Sequence, residues 1–318
     1  MKSYLDIVSK VLNEGKVKKP VRQNPNTKLW EPVDGGVKTY ACPNILFSHD
    51  MADGFPLLTT KKVAWKVLCV ELEGFIRGIT SKGWFKDRGC NIWNEWCNPK
   101  RLQEVAGDAI ISNEERKAIQ LDQDDLGPVY GFQWRRFNAC YDSDDNGWIQ
   151  EGKSKLDQQV ADDADQLKNI VNTLRQNPMD RRMVCSAWNP LQTNRMALPP
   201  CHWGWNVTVI EDELSLFWAQ RSCDLMLGAP FDIASYGLLL SLLAHDAGLK
   251  PGNLSGMFVD CHIYENQIEG AKEQITREPR CLPELHLPKK DIFDWTYEDV
   301  ELDAYYPHGP IKFGAIAV

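Results

Sequence analysis

A cysteine that follows two prolines is the first candidate for chemistry in this chain of 318 residues. Cys201 comes directly after Pro199 and Pro200, which restrict the backbone and predict a stiff corner leading into a strand. A thiol attacks as its thiolate, which needs a lowered pKa that a nearby guanidinium can provide. Arg221 lies on the strand expected to pair with the one after Cys201, so the two side chains can meet. A single cysteine in an apolar setting is nevertheless most often a packing residue.

Two carboxylates stand in apolar surroundings. Glu71 lies in the segment 62–77, whose apolar residues predict a largely buried helix, and a carboxylate there suggests function. Its neighbour Glu73 is interpreted as the solvated one of the two. Asp232 precedes the apolar run IASYGLLLSLLA, where it fits a helix N-cap. It also fits ligand binding, because a semi-buried carboxylate needs polar partners.

Other polar side chains fit the binding of a phosphate or a sugar. Arg181 and Arg182 follow Asn-Pro-Met-Asp at a predicted helix-to-strand junction. Adjacent arginines are usually solvated, and the functional alternative is a bidentate phosphate clamp. His262 and Tyr264 alternate near a predicted strand end, where each can also be a satisfied core residue. We predict no metal site: the run DSDDNG has Lys153 where a calcium loop needs glutamate, and the cysteines lack zinc-ligand spacing.

The helices that must position these side chains follow from apolar spacing. An amphipathic helix is predicted at the N-terminus, a second helix over 62–77 and a third that ends near Leu174. The run FDIASYGLLLSLLAHDAGL predicts a strongly apolar helix closed by Gly248, and HIYENQIEGAKEQI predicts another helix.

The predicted strands lie mainly in the second half of the chain. They cover MVCSAWNP, WNVTVIEDELSLFWAQ with a turn at Glu211-Asp212, and GMFVD, whereas KVKKPVRQNPNTK is predicted as a loop. The mixed order of helices and strands predicts an α+β fold in one domain over 1–318. Polar surface insertions are expected near 98–126 and 139–156.

Composition argues against several classes of protein. A net charge of −8 argues against a nucleic-acid binder. The N-terminus lacks the apolar core of a signal peptide, and no run approaches the ~18 apolar residues of a membrane span. Ten cysteines without a C-x-x-C pair are expected to be free thiols, most of them buried, in a cytoplasmic protein.

Together these motifs resemble those of thymidylate synthase over nearly the whole chain. The matching stretches are DGFPLLTTKK, IWNEW, DLGPVYGFQWR, DRRMVCSAWNP, MALPPCH, QRSCDLMLGAPFDIASY, DCHIYENQIE, REPRCLPEL and HGPIKFGAIAV. The resemblance is specific because the motifs recur in the family's order. It implies a three-layer α+β fold whose large mixed sheet packs against its twin in a homodimer.

The resemblance also implies a reaction and a role for each matching residue. The reaction is one-carbon transfer to C5 of a pyrimidine nucleoside monophosphate, with 5,10-methylenetetrahydrofolate as co-substrate and a covalent adduct at C6. The implied catalytic residues are Cys201, Glu71, Tyr130, His202 and Arg221. The implied nucleotide-binding residues are Arg22, Arg181, Arg182, Gln220, Ser222, Asp224, Asp232, His262 and Tyr264, with Arg181 and Arg182 reaching across the dimer. The implied folate-binding residues are Ile92, Trp93, Trp96, Leu198, Asp224, Gly228, Phe231, Ala317 and Val318.

Asp232 is the departure from the family that determines the expected base. The family normally has asparagine here, whose amide donates to O4 of uracil and accepts from N3–H. A carboxylate accepts from the amino group of cytosine, and from N3–H once N3 is protonated. Facing O4 of uracil, it lacks a donor unless it is protonated. Because relatives with aspartate here act on cytidylate, dCMP is expected rather than dUMP, and CMP stays open.

The fate of the transferred carbon is left open by the residues. Cytidylate-specific relatives favour 5-hydroxymethyl-dCMP, and hydride transfer to give 5-methyl-dCMP is the alternative. An ordinary thymidylate synthase with a protonated Asp232 is a further alternative, as is a non-catalytic nucleotide- or RNA-binding homologue. The stretch VRQNPNTK replaces the family's Arg-Thr-Gly-Thr phosphate loop, and Glu73-Gly74 replaces apolar residues.

Overall fold

Helices and strands alternate irregularly along the chain. The computed structural model describes residues 1–23, 30–32, 36–107, 111–141 and 164–313. The α-helices are α1 (Lys2–Glu14), α2 (Trp65–Arg77), α3 (Lys82–Asp87), α4 (Pro99–Ala106), α5 (Asn113–Asp122), α6 (Gly131–Arg136), α7 (Gln166–Gln176), α8 (Gly228–Ala247) and α9 (Ile268–Ile275). The strands are β1 (Lys16–Lys18), β2 (Val21–Gln23), β3 (Trp30–Pro32), β4 (Thr39–Asp50), β5 (Val184–Ser186), β6 (His202–Ile210), β7 (Glu213–Gln220), β8 (Cys223–Asp224), β9 (Lys250–Tyr264), β10 (Glu284–His286) and β11 (Glu301–Asp303).

A mixed sheet of seven strands organises the described part of the chain. Its order is β1-β4-β9-β7-β6-β5, and β8 pairs with β9 beyond the end of β7. Strands β7 and β8 run parallel to β9, whereas the other pairs are antiparallel. The predicted α+β class is therefore confirmed. Two separate ribbons, β2–β3 and β10–β11, lie outside this sheet.

Helix α8 is the central buried helix. It is apolar on nearly all sides, as expected for a helix enclosed by protein, and it packs against β7, β9 and α2. It ends at Gly248, which adopts the left-handed conformation with φ 68° and closes the helix as predicted. The second turn of α8 lies beside the end of β7 and the start of β6, because Asp232 contacts Gln220 and His202 there.

Several predicted elements differ from the observed ones. Strands β1 and β2 occupy part of the segment predicted as a loop, and β9 continues through His262 and Tyr264, where a helix was expected. The insertion at 98–126 contains the helices α4 and α5. Most of the second polar stretch, 142–156, lies outside the described residues. In the described ranges no helix has the length and apolarity to span a membrane.

Candidate active site

Strand pairing brings Cys201 and Arg221 together. Cys201 immediately precedes β6 and Arg221 immediately follows β7, while His202 and Gln220 face each other in the register of these strands. The Arg221 amide donates to the Cys201 carbonyl oxygen at 2.8 Å. The predicted proximity is confirmed, with 3.9 Å between Arg221 Nη2 and Cys201 Sγ.

The Arg221 guanidinium is held in place by the two prolines that precede the cysteine. Its Nη2 donates to the Pro199 carbonyl at 2.7 Å and its Nε to the Pro200 carbonyl at 2.9 Å. Burial nevertheless raises the pKa of the Cys201 thiol, and the lowering effect of Arg221 does not cancel it. The guanidinium thus lowers the pKa of this thiol, as expected from its charge, but burial has the larger effect.

Tyr130 reaches the cysteine because a glycine follows it. A Cβ on Gly131 would lie 2.6 Å from the Phe75 carbonyl oxygen, so only glycine allows α6 to approach α2 this closely. The Tyr130 ring stacks on Phe75 with 5.0 Å between centroids. Its hydroxyl oxygen accepts from the Cys201 amide at 2.8 Å, which leaves the phenolic proton available for another partner.

Neither of the two carboxylates of helix α2, Glu71 and Glu73, is exposed, and the expected solvation of Glu73 is not found. Glu73 is buried, and it accepts from Arg77 Nε and from the Tyr297 amide, each at 2.8 Å. Its interpretation as the solvated residue is wrong, because α2 buries that face beneath the C-terminal segment. Glu71 points toward the candidate site and accepts from Trp93 Nε1 at 3.0 Å. Burial raises the pKa of Glu71 to about 8.

Asp232 lies in the second turn of α8, so the interpretation as a helix N-cap is wrong. Gln220 Nε2 donates to Asp232 Oδ2 at 2.7 Å. The same Gln220 amide group donates to the Ser222 carbonyl, and Gln220 Oε1 accepts from Trp218, which fixes its orientation. Burial raises the pKa of Asp232 to about 7, against the lowering effect of the Gln220 bond. Near neutral pH this carboxyl group is therefore protonated in a large fraction of molecules.

His202 is a neutral ring between two hydrogen-bonding groups. Its Nδ1 lies 2.9 Å from the Tyr236 hydroxyl and its Nε2 lies 3.8 Å from Asp232 Oδ1. Burial lowers the pKa of His202 to about 3, so its contact with Asp232 is not an ion pair at neutral pH. Tyr236 was not identified from the sequence. Its spacing of four residues from Asp232, one helical turn, is the signal that could have found it.

A second group of candidate residues lies where β8 pairs with β9. Asp224 and His262 are register partners there. Asp224 Oδ1 accepts from the Met226 and Leu227 amides, and its Oδ2 accepts from Gln267. His262 Nδ1 lies 3.2 Å from Asp260 Oδ1, and the Tyr264 ring stands edge-on to the imidazole. Burial raises the pKa of Tyr264 to about 12, so its hydroxyl stays a donor.

The remaining candidate residues, those for folate and for phosphate, differ in how far they are buried. Trp93 is buried, Gly228 begins α8, and Trp96, Leu198 and Phe231 are half-buried against the core margin, whereas Ile92 is exposed. Arg181 and Arg182 are exposed, and Arg182 pairs with Asp180 at 2.9 Å. Within the described ranges these arginines do not join the side chains around Cys201. The Arg22 side chain, Ala317 and Val318 lie outside the described residues.

Known proteins are similar to this chain over its full length. The family model described as thymidylate synthase matches residues 2–317. Two relatives named thymidylate synthase, from Mycoplasma genitalium and Mycoplasma pneumoniae, are each 38% identical over 325 aligned residues that cover all of both chains. A bifunctional dihydrofolate reductase-thymidylate synthase from Paramecium tetraurelia is 38% identical over 97% of this chain and 60% of its own length.

The family model covers nearly every residue, and two of the relatives match from end to end. The side chains that meet around Cys201 are consistent with this family. The chain belongs to the thymidylate synthase family, and it is a folate-dependent methyltransferase that acts on a pyrimidine nucleotide.

Proposed function

We propose that the chain methylates C5 of dUMP through a covalent adduct between Cys201 and C6 of the pyrimidine. The observation that carries this proposal is the convergence of Cys201, Arg221, Tyr130 and two titratable carboxyl groups in one partly buried site. C5 of a pyrimidine is a poor nucleophile, and addition of a thiolate to C6 converts it into an enamine-like carbon. The names of the relatives favour dUMP as the substrate.

In this proposal Arg221 supports the nucleophile. Its guanidinium is fixed by the Pro199 and Pro200 carbonyls and stands beside the thiol, so it stabilises the thiolate when that forms. The raised pKa of Cys201 means that only a minor fraction is thiolate at neutral pH. The attack is therefore expected to become faster as the pH rises, until other groups titrate.

Glu71 and Tyr130 are proposed to move protons. Glu71, with a pKa of about 8, holds a proton at neutral pH and can both donate and recover it. Trp93 donates to Glu71 Oε1, and among the described residues none donates to Oε2, which can therefore bind substrate or water. The Tyr130 hydroxyl has its proton available beside the Cys201 amide. His202 is proposed to act as a neutral hydrogen-bonding group because its pKa is far below neutral.

The residues around the site fit the family's co-substrate, 5,10-methylenetetrahydrofolate. Half-buried apolar side chains suit a flat ring system, and Trp96, Leu198 and Phe231 are half-buried side chains of this kind. When bound, the folate supplies the one-carbon unit and the hydride that completes the methyl group. We propose that Trp93 and Trp96 hold the ring side and that Phe231 and Gly228 shape the wall formed by α8.

Asp232 is proposed to bind the edge of the base as a neutral acid. A protonated carboxyl has one donor and one acceptor, as an asparagine amide has, so it can donate to O4 of uracil and accept from N3–H. Gln220 donates to Oδ2, which favours placing the acid proton on Oδ1. The pKa of about 7 makes this form available near neutrality. The sequence analysis disfavoured uracil because a carboxylate would face O4 without a donor between them. This argument is weaker when the carboxyl group is protonated.

The raised pKa of Asp232 also fits a second candidate substrate, which is dCMP. The same neutral acid can donate to N3 of cytosine and accept from its amino group, and N3 is a far more basic atom than O4 of uracil. Asp232 could then pass its proton to N3 as Cys201 adds to C6. The product would be 5-methyl-dCMP, or 5-hydroxymethyl-dCMP if water rather than hydride completes the reaction.

We also propose that the site is completed by a second copy of the chain. The register places four exposed apolar residues on the open face of the large sheet: Leu46, Val184, Ile210 and Val259. An exposed apolar sheet face of this kind is typical of a protein–protein interface. In such a dimer Arg181 and Arg182 are proposed to reach the nucleotide phosphate of the partner.

Turnover with single nucleotides tests the proposed function. The purified chain is incubated with methylenetetrahydrofolate and with dUMP, dCMP or CMP, while mass spectrometry identifies the product and absorbance follows dihydrofolate. We expect thymidylate and an equal amount of dihydrofolate from dUMP, and no product from Cys201→Ala. Hydroxymethylated product without dihydrofolate would reject methylation, and an active Cys201→Ala variant would reject the covalent adduct.

A further inference from the structure

A buried ammonium group lies at the base of the insertion that separates Trp96 from Tyr130. Lys82, the first residue of α3, is only 6% exposed. Its Nζ lies close to the backbone carbonyl oxygens of Asn94, Trp96, Gln120 and Leu121, at 3.2, 3.4, 2.6 and 3.3 Å. An ammonium has three N–H donors, so one of these donors is shared between two carbonyls.

The four carbonyls belong to the two ends of the insertion. Asn94 and Trp96 lie where the chain leaves the core toward α4, and Gln120 and Leu121 lie in the last turn of α5, where it returns. The last carbonyls of a helix lack partners within the helix and carry partial negative charge. A buried cation suits them, although burial lowers the pKa of Lys82. The Lys82 ammonium group therefore links the outgoing segment at 94–96 to the returning segment at 120–121.

The outgoing segment also carries the proposed folate residues. Residues 91–96 form a turn that contains both tryptophans. The Asn94 amide donates to the Asn91 carbonyl at 3.3 Å, and the Trp96 amide donates to the Trp93 carbonyl at 3.1 Å. The Trp93 indole donates to Glu71, so the position of this turn affects the proton-transferring carboxyl as well. A buried second tie joins Asn98 to Asp125, but it does not touch the turn at 93–96.

We propose that Lys82 is a positioning residue for the folate side of the site, coupling the α4–α5 insertion to the turn that carries Trp93 and Trp96. The inference rests on the proposed roles of those two tryptophans. Loss of the ammonium group leaves the turn joined to α5 by the exposed ion pair of Lys117 with Glu95, at 3.2 Å, instead of by a buried contact. An exposed pair holds a segment weakly, so the folate ring meets less ordered side chains. The nucleotide side, built on β6, β7 and β9, does not depend on this contact.

Separate KM values for the two substrates test the inference. Lys82→Met removes the charge while keeping most of the side-chain volume, and Lys82→Gln keeps two N–H donors without the charge. Lys86→Met, on the same short helix but exposed, is the matched control. Loss of hydrogen bonds from a charged donor predicts a KM for methylenetetrahydrofolate raised about five- to thirtyfold in Lys82→Met. A smaller rise is expected in Lys82→Gln, and the nucleotide KM should stay within about twofold.

Two results would overturn this role. The first is a folate KM in Lys82→Met equal to that of Lys86→Met; the second is an equal rise in both KM values, which indicates a general loss of structure. If Lys82→Met does not fold, the same comparison is made with Lys82→Gln. Wild-type chain that turns over no nucleotide would instead reject the proposed function, and this role of Lys82 with it.

Discussion

At the scale of single residues, the proposed binding of the base depends on the protonation of Asp232. Its carboxyl group is enclosed by Gln220, His202 and the first turns of α8, and its pKa is about 7. The proposed binding of uracil uses the protonated form. With a pKa of about 7, the protonated form predominates below pH 6 and is lost as the pH rises through 7. An aspartate with its usual pKa would already be ionised throughout this range.

The comparison of wild type with Asp232→Asn isolates this titration. Asparagine supplies a donor and an acceptor at every pH, and the titration of the substrate phosphate is shared by both proteins. Because Asp232 raises the pKa values of Glu71 and Cys201, those of the variant are lower, and both are determined separately from the pH profile of each protein. With dUMP, the ratio of kcat/KM for wild type to that for Asp232→Asn should be level below about pH 6. Above about pH 7 it should fall roughly tenfold per pH unit. Measurement between pH 5.5 and 8.5 checks it, and a ratio independent of pH would show that Asp232 does not bind dUMP as an acid.

The sequence identified the chemistry of this site better than its electrostatics. The pairing of Cys201 with Arg221 follows from strand order alone, and it was predicted. The directions of the pKa shifts at Cys201 and Asp232 depend on burial by other segments of the chain, so they could not be predicted from local spacing. Cys201 lies beside Tyr130, and Asp232 lies beside Gln220 and His202. The burial of Glu73 was missed for the same reason, since the segment that covers it lies more than 200 positions away.

At the scale of elements, Glu73 fastens the C-terminal segment to α2, the helix that carries Glu71. Glu73 accepts from Arg77 and from the Tyr297 amide, while Arg77 Nη2 donates to the Trp295 carbonyl. Replacing this carboxylate by an apolar residue lowers the stability of the fold, because the Arg77 guanidinium and the Tyr297 amide then lose their acceptor.

We therefore expect Glu73→Leu to lower the free energy of unfolding by about 2–4 kcal/mol. Glu73→Gln, which keeps an acceptor, should lose less. Urea unfolding monitored by tryptophan fluorescence measures both. The control is Glu269→Gln, which removes an exposed pair with Lys272 and should change stability by less than about 1 kcal/mol. Equal stabilities of Glu73→Leu and wild type would contradict this role of Glu73.

The sequence predicted the elements with strong apolar periodicity and missed the short ones. Helix α8 and the β6–β7 hairpin were predicted with their closing residues, Gly248 and the Glu211-Asp212 turn. Strand β1 is three residues long and fully exposed, so no apolar alternation marks it, and its pairing with β4 is a tertiary effect. The helix predicted from His262 onward failed because pairing with β4 and β8 extends β9 through that segment.

At the scale of the whole molecule, the proposed active site needs two chains. Arg181 and Arg182 are exposed and stand apart from Cys201, while an apolar sheet face is open to a partner. A two-fold dimer through this face places the same surface of both chains in contact and makes two equivalent sites.

Mixing two inactive variants tests the shared site. One variant carries Cys201→Ala, and the other carries both Arg181→Ala and Arg182→Ala. A mixed dimer has one site with the native cysteine and native arginines, so random exchange of subunits should restore about a quarter of wild-type activity. Activity is measured after subunit exchange and compared with each variant alone. No recovery, in a sample shown to contain mixed dimers, would contradict arginines acting across the interface.

Competition between dUMP and dCMP tests the central claim most directly. The purified chain is given both nucleotides in equal amounts with methylenetetrahydrofolate at pH 6.5, and the products are identified by mass spectrometry. The account predicts thymidylate as the main product, with one dihydrofolate formed for each. Modified cytidylate as the main product would contradict it and establish the second candidate, in which Asp232 gives its proton to N3 of cytosine.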